Sequence, residues 1–158
     1  MIQRFLKWMA LIGLNIREDP GIEERDPNRE WGPVAYGLRL SAKARESSLS
    51  LVLKNVDTKL LRTSIPTWLF FYRLAIAGPD GKPPRLSTFG ERALSPTQNN
   101  RTMDLALVPG QATETDIPVP ALYQLETGAT YRLQAECTIG GVVVSSNPVE
   151  FVSGPRSA

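Results

Sequence analysis

Residues 130–139, TYRLQAECTI, alternate without a slip. Tyr131, Leu133, Ala135, Cys137 and Ile139 fall on one side, and Arg132, Gln134, Glu136 and Thr138 on the other. A helix repeats every 3.6 residues, so ten residues in strict period two belong to a strand with one face buried. The same period recurs upstream. In VAYGLRLSA, Tyr36, Leu38, Leu40 and Ala42 share a face; in SLSLVLKNV, Leu49, Leu51 and Leu53 do. In TWLFFYRLAIA the even positions Trp68, Phe70, Tyr72, Leu74 and Ile76 are all large and apolar, which predicts a central strand. RTMDLALV alternates through Met103, Leu105 and Leu107. ATETDIPV is more polar and contains a proline that cannot donate to a ladder, so it is expected near an edge.

The breaks between these segments have turn chemistry. Pro79-Asp80-Gly81 supplies a fixed φ, a side chain that bonds its own backbone and a residue tolerant of positive φ. A hairpin there is expected to return the chain through Arg85 to Phe89. Pro109-Gly110 and Gly140-Gly141 are further turns, the latter a hairpin signal. Ser146-Asn147-Pro148 predicts a bulge that shifts the register before Val149 and Phe151. GERALSPTQNN, before Arg101, reads as a long loop. Seven or eight short strands with no helical period after residue 30 predict an all-β chain, an antiparallel immunoglobulin-like β-sandwich over residues 31–153; a closed barrel is the alternative. In LETGATYRL, a glycine turn before a strand-opening tyrosine matches a tyrosine corner, in which the Tyr131 hydroxyl bonds backbone a few residues upstream. Tyr131 as an ordinary first core residue is the other reading.

The amino-terminal region has a different composition. Residues 1–16, MIQRFLKWMALIGLNI, form a short apolar segment with Arg4 and Lys7 near its start. A bilayer span needs about 20 apolar residues, and the uninterrupted run here is Trp8 to Leu14, so no stable membrane span is expected. A degenerate export signal and a short helix packed on the domain both fit. The first implies an exported, periplasmic protein; the cytoplasm stays open. Residues 17–30 hold six acids, three arginines and two prolines and predict a charged, solvated linker. Residues 154–158 are a tail.

Composition limits the chemistry. Lysine plus arginine number 18 against 16 acids, with the basic residues scattered singly, which argues against nucleic acid as a partner. There is no histidine, so the commonest general base and zinc ligand are both missing. None of Lys7, Lys43, Lys54, Lys59 or Lys82 has a serine three residues before it, which removes the S-x-x-K dyad. Cys137, the only cysteine, lies on an apolar strand face with nothing to activate it, and no intrachain disulfide can form. Glu114 and Asp116 share a strand face, with Asp104 expected on a neighbouring strand, but read as solvated acids and not as a calcium or acid–base pair. Asn100-Arg101-Thr102 fits a glycosylation acceptor by pattern alone. No phosphate loop occurs, no cofactor or metal is implied, and an enzyme is not expected.

The chain also resembles a known group. Lys54-Asn55-Val56, Tyr72-Arg73-Leu74-Ala75-Ile76 before the Pro-Asp-Gly-Lys turn, and Phe89-Gly90 carry the likeness. So do Leu107-Val108-Pro109-Gly110, Gly128-Ala129-Thr130-Tyr131 and Ser146-Asn147-Pro148-Val149. Over residues 34–152 these resemble uncharacterised bacterial immunoglobulin-like domains, often exported. The layout is similar to that of the bacterial intracellular proteinase inhibitors, the BsuPI-like domains. The resemblance implies a noncatalytic binding or structural module whose partner is another protein, with proteinase inhibition as the alternative; it transfers no inhibitory residue. From the residues themselves, two contact regions are expected. One is an apolar patch of Leu69 and Phe71 on the odd face of the Trp68 strand, which residues 1–16 or the loop around Leu86–Phe89 would otherwise cover. The other is the long loop, with Gly90, Glu91, Arg92 and Arg101.

Overall fold

The computed structural model describes residues 26–98 and 101–154; residues 1–16, and with them the export-signal and packed-helix readings, lie outside the described residues. The alternation seen in sequence becomes two main antiparallel sheets, of three and four strands, and a separate two-stranded pair, all contributing to one core. The first sheet runs β1 (Leu38–Ala44), β2 (Leu49–Asn55) and β6 (Ala112–Ile117); the more polar strand is indeed at its edge. The second has β4 (Arg73–Ala77) beside β7 (Thr130–Ile139), with β8 (Val142–Ser145) and β9 (Val149–Val152) together on the other side of β7. Leu38, Leu40, Leu49, Leu51 and Leu53 from one sheet meet Leu133, Ala135, Cys137, Ile139 and Phe151 from the other, all buried in one cluster. Among the described residues the architecture is an all-β sandwich of nine strands that does not close into a barrel.

The extra strand is β3 (Leu61–Pro66), paired with β5 (Thr102–Leu107). Its alternation is weak, with Ile65 its only buried residue, and the sequence gives it no clear period. The β2–β6 and β3–β5 registers place residues 55–60 opposite the turn 108–111, so the two pairs are stretches of one interrupted ribbon. Asn55 holds the interruption. Its amide nitrogen donates to the carbonyls of Lys59 (2.9 Å) and Leu107 (2.8 Å), and its oxygen accepts from the Asp57 N–H (2.9 Å). Only a side chain with both donor and acceptor meets all three demands.

The turns fall where expected. Asp80 Oδ1 accepts from the Lys82 N–H at 3.0 Å, and Gly140 and Gly141 both have positive φ (58° and 77°) in the β7–β8 hairpin. Pairing runs Cys137 with Val144 in β8 but Leu133 with Val149 in β9, a slip of one residue. Ser146–Pro148 supplies that residue, as a bulge should. The buried Asn147 then reaches across to β1, accepting from the Ala42 N–H (2.9 Å) and donating to the Ala42 carbonyl (3.0 Å). The Tyr131 hydroxyl accepts from the Glu126 N–H at 2.8 Å, the bond of a tyrosine corner.

Several expectations fail. The predicted central strand begins only at Arg73, because Trp68–Phe71 form a short helix, α1, and it lies at the edge of its sheet and not in its centre. Trp68, Phe71 and Tyr72 satisfy helical spacing (i, i+3, i+4) as well as Trp68, Phe70 and Tyr72 satisfy the alternation of a strand. Their rings interlock, Trp68 stacked on Tyr72 at 5.7 Å and edge-on to Phe71 at 5.8 Å. The expected return through Arg85 to Phe89 and the long loop are also different: Thr88–Ala93 form α2 and Pro96–Gln98 a 3-10 turn. Tyr36 is not a core residue of β1. It turns with φ 53°, lies 52% exposed and rests its ring against Gly140.

The charged run was expected to be solvated, with the domain starting near Trp31. Its described end, 26–30, instead lies on the outer face of the first sheet. Arg29 is buried there, donating to Ser41 Oγ (2.6 Å), the Ser50 carbonyl (2.9 Å) and Ser50 Oγ (3.1 Å). Burial lowers its pKa against the pull of Glu114 and Asp26. Trp31 covers Val52 and Ala112, and the Arg39 guanidinium sits 4.2 Å from the Trp31 ring. Val52 is therefore buried on the face where alternation predicted solvent, so β2 is covered on both sides.

Candidate functional site

An apolar cleft opens beside the free edge of β4. Leu69 and Phe70 of α1, then Tyr72, Arg73 and Leu74, form one wall. Leu94, Ile117 at the end of β6, and Leu122 and Tyr123 form the other, around a volume of about 310 Å³. That is the lower end of the range for ligand sites, which are typically about 300–1,000 Å³ and mostly apolar.

The second wall is built by two short helices, α2 and α3 (Val119–Leu122). Ser87 ties them together. Its hydroxyl accepts from the Gly90 N–H (2.9 Å), capping α2, and donates to the Ala121 carbonyl (2.5 Å). The Ser87 N–H donates to the Leu122 carbonyl and the Gln124 N–H to the Arg85 carbonyl, at 2.9 and 2.8 Å. Gly90 packs so closely that an added Cβ would lie 2.0 Å from the Leu122 oxygen. Gly90, expected in a contact loop, is thus a buried packing residue. Glu91 and Arg92 are exposed on α2, and Arg101 is exposed at the start of β5. The free loop that would present these residues together is replaced by a wound segment.

The expected Leu69–Phe71 patch does not form. Phe71 is 3% exposed, within the core, because the helical turn rotates it away from Leu69. Leu69 is half-buried on the cleft wall, while Trp68 packs partly buried against the core. The rest of the lining was missed. Leu94, Leu122 and Tyr123 lie in segments whose helical turns are too short to show a period.

A second, smaller hollow of about 200 Å³ lies over the opposite face of β4, floored by Ala75, Gln134, Ala135 and Glu136. Arg73 and Leu74 line both hollows. Arg73 is exposed and sits opposite Glu136 in the ladder, yet its guanidinium makes no ion pair or hydrogen bond among the described residues. Tyr72 is buried with its hydroxyl unpartnered, and burial holds its pKa well above the ordinary value.

Comparison with protein-family profiles, curated proteins and solved structures finds no match to this chain.

The other candidate groups have structural partners. Glu114 accepts from Arg45 (2.7 Å) and Ser50 (2.9 Å), and Asp116 lies 4.0 Å from Arg45, so these acids serve cross-strand pairing. Asp104 sits on β5, in a different strand pair. Burial, with Glu136 adding to it, pushes the Cys137 thiol up to about 12, which keeps it protonated and unreactive at neutral pH. Among the described residues, no three histidine, cysteine or acidic side chains group closely enough to hold a metal ion, and no helix is long and apolar enough to cross a membrane.

Proposed function

We propose that the chain is a noncatalytic, immunoglobulin-like interaction domain, and that its partner protein inserts an apolar group into the cleft beside β4. The observation carrying this reading is the cleft itself: a concave apolar surface on a sandwich frame, bounded by an edge strand and rimmed by Arg73, which has no partner among the described residues. Its lining offers no nucleophile–base pair, so binding is the chemistry that it supports. The two sheets, the tyrosine corner and the β8–β9 bulge support the immunoglobulin-like assignment.

The cleft can be tested before any partner is known. The dye 1-anilinonaphthalene-8-sulfonate joins an apolar ring system to an anion, matching the lining and Arg73. The folded domain should bind one dye with blue-shifted emission. Leu69→Trp, which fills the cleft from a half-buried position, should weaken binding about tenfold, or about 1.4 kcal/mol, with the circular dichroism unchanged. Equal affinity of both proteins would remove the cleft as the site.

A further inference from the structure

Among the described residues, strand β4 is the end strand of its sheet and pairs with β7 alone. On the side away from β7, no hydrogen bond engages the backbone of residues 73–77 among the described residues. Such edges invite pairing with another chain, and proteins usually blunt them with charge, proline or a covering segment. Several other edges here are blunted in those ways, although β8, with Val142 and Val143 exposed, is not. β6 carries Glu114 and Asp116 and runs into Pro118; β3 has Arg62 and ends on Pro66. The outer side of β1 is occupied, by the Gly32 N–H on the Leu40 carbonyl and by the Asn147 amide on Ala42. β4 reads Arg73-Leu74-Ala75-Ile76-Ala77, with a single charge, at its first residue, and no proline.

The hollows around β4 follow its pleat. Leu74 lines both, whereas Ala75, with Gln134 and Glu136 from β7, lines only the smaller hollow, on the outer side. Successive residues of an added strand point to opposite faces, so one would enter each hollow. Arg73 stands at the rim common to both.

We propose that β4 takes up an extended segment of the partner polypeptide as an additional strand, with a large apolar residue entering the cleft and an adjacent acidic residue meeting Arg73. This rests on the cleft being the binding site and adds how the partner is read: main-chain bonds to β4 give affinity, and the two hollows with the arginine give specificity. Charge complementarity selects the acidic neighbour, and the unpartnered main chain selects a peptide over an acyl carboxylate, which would also satisfy cleft and arginine.

The probe is the best binder selected from a randomised heptapeptide library on the intact chain, then synthesised. Selected sequences should place an acidic residue beside a large apolar one. Methylating alternate backbone nitrogens of the peptide, on the edge that faces β4, should weaken binding at least about tenfold. Arg73→Ala should weaken it about tenfold, and Leu69→Trp should do the same. A peptide that displaces the dye and is lost in Leu69→Trp, but ignores N-methylation, overturns strand addition and leaves the cleft reading intact. So does selection of no peptide while the dye, or decanoate in competition with it, still occupies the cleft. A peptide that binds Leu69→Trp as well as the unaltered chain, with the dye undisplaced, overturns both.

Discussion

Asn147→Ala is the substitution whose cost follows most directly from the structure. The Asn147 side chain supplies both partners of the Ala42 peptide groups, at 2.9 and 3.0 Å, where β1 passes the β8–β9 bulge. Ala42 and Asn147 are both buried, so water does not readily replace the lost amide. Leaving a buried donor or acceptor unpaired costs about 1–3 kcal/mol. Two such groups give about 2–4 kcal/mol once some relaxation is allowed. For a domain of this size about 4 °C is lost per kcal/mol, hence a fall in Tm of about 8–16 °C. Urea unfolding followed by tryptophan fluorescence measures this, with an unchanged m-value showing that the same surface unfolds. Pro148→Ala is the control: Pro148 is exposed and should shift stability by under about 0.5 kcal/mol. A loss below about 1 kcal/mol for Asn147→Ala, at constant m, would refute the assignment of this side chain as the clamp between the sheets.

Further outcomes follow from other buried contacts. Gly90→Ala should cost about 2 kcal/mol by driving a Cβ into the Leu122 carbonyl, and should weaken dye binding by separating α2 from α3; thermal unfolding and the dye titration check the two effects. Tyr131→Phe removes the bond to Glu126 and should cost about 1 kcal/mol in urea unfolding without changing the fold. Cys137 should resist a thiol reagent at pH 8 until the chain unfolds. Its raised pKa also sets the sign of a pH effect. The native thiol holds its proton more tightly than the unfolded one, so its stabilisation is full below the ordinary 9.0 and is lost as pH rises towards about 12. The slope is about 1.4 kcal/mol per pH unit over that window, and it should be absent from Cys137→Ala when the two unfolding curves are compared.

What could be read from the sequence depended on how long each pattern persisted. The ten residues of β7 hold one period against solvent on one face and core on the other, so their placement is unambiguous. The same holds for the glycine turns and for the Ser146-Asn147-Pro148 slip, where backbone geometry demands particular residue types. At Trp68–Tyr72 the signal is degenerate, because five large residues in a row satisfy both periods. There the tertiary arrangement of three rings, and not propensity, selects the helical turn. Val52 and Arg29 show a second reason. Nothing in β2 announces that residues 26–31 will lie over its outer face, and one of three arginines in an acidic run gives no hint that it will be buried against two serines. The cleft was hidden for both reasons: its walls come from α1, which imitated a strand, and from helical turns too short to have a period. Of the two residues expected to form a patch, only Leu69 reaches it.

Amide chemical-shift mapping with the anionic dye tests the central assignment most directly. The largest changes should gather on Leu69, Leu74, Leu94, Leu122 and Tyr123, with Arg73 at the rim, and leave the outer face of the first sheet undisturbed. Changes centred on Trp31 and Arg39, or spread evenly over the molecule, would contradict a binding site beside β4.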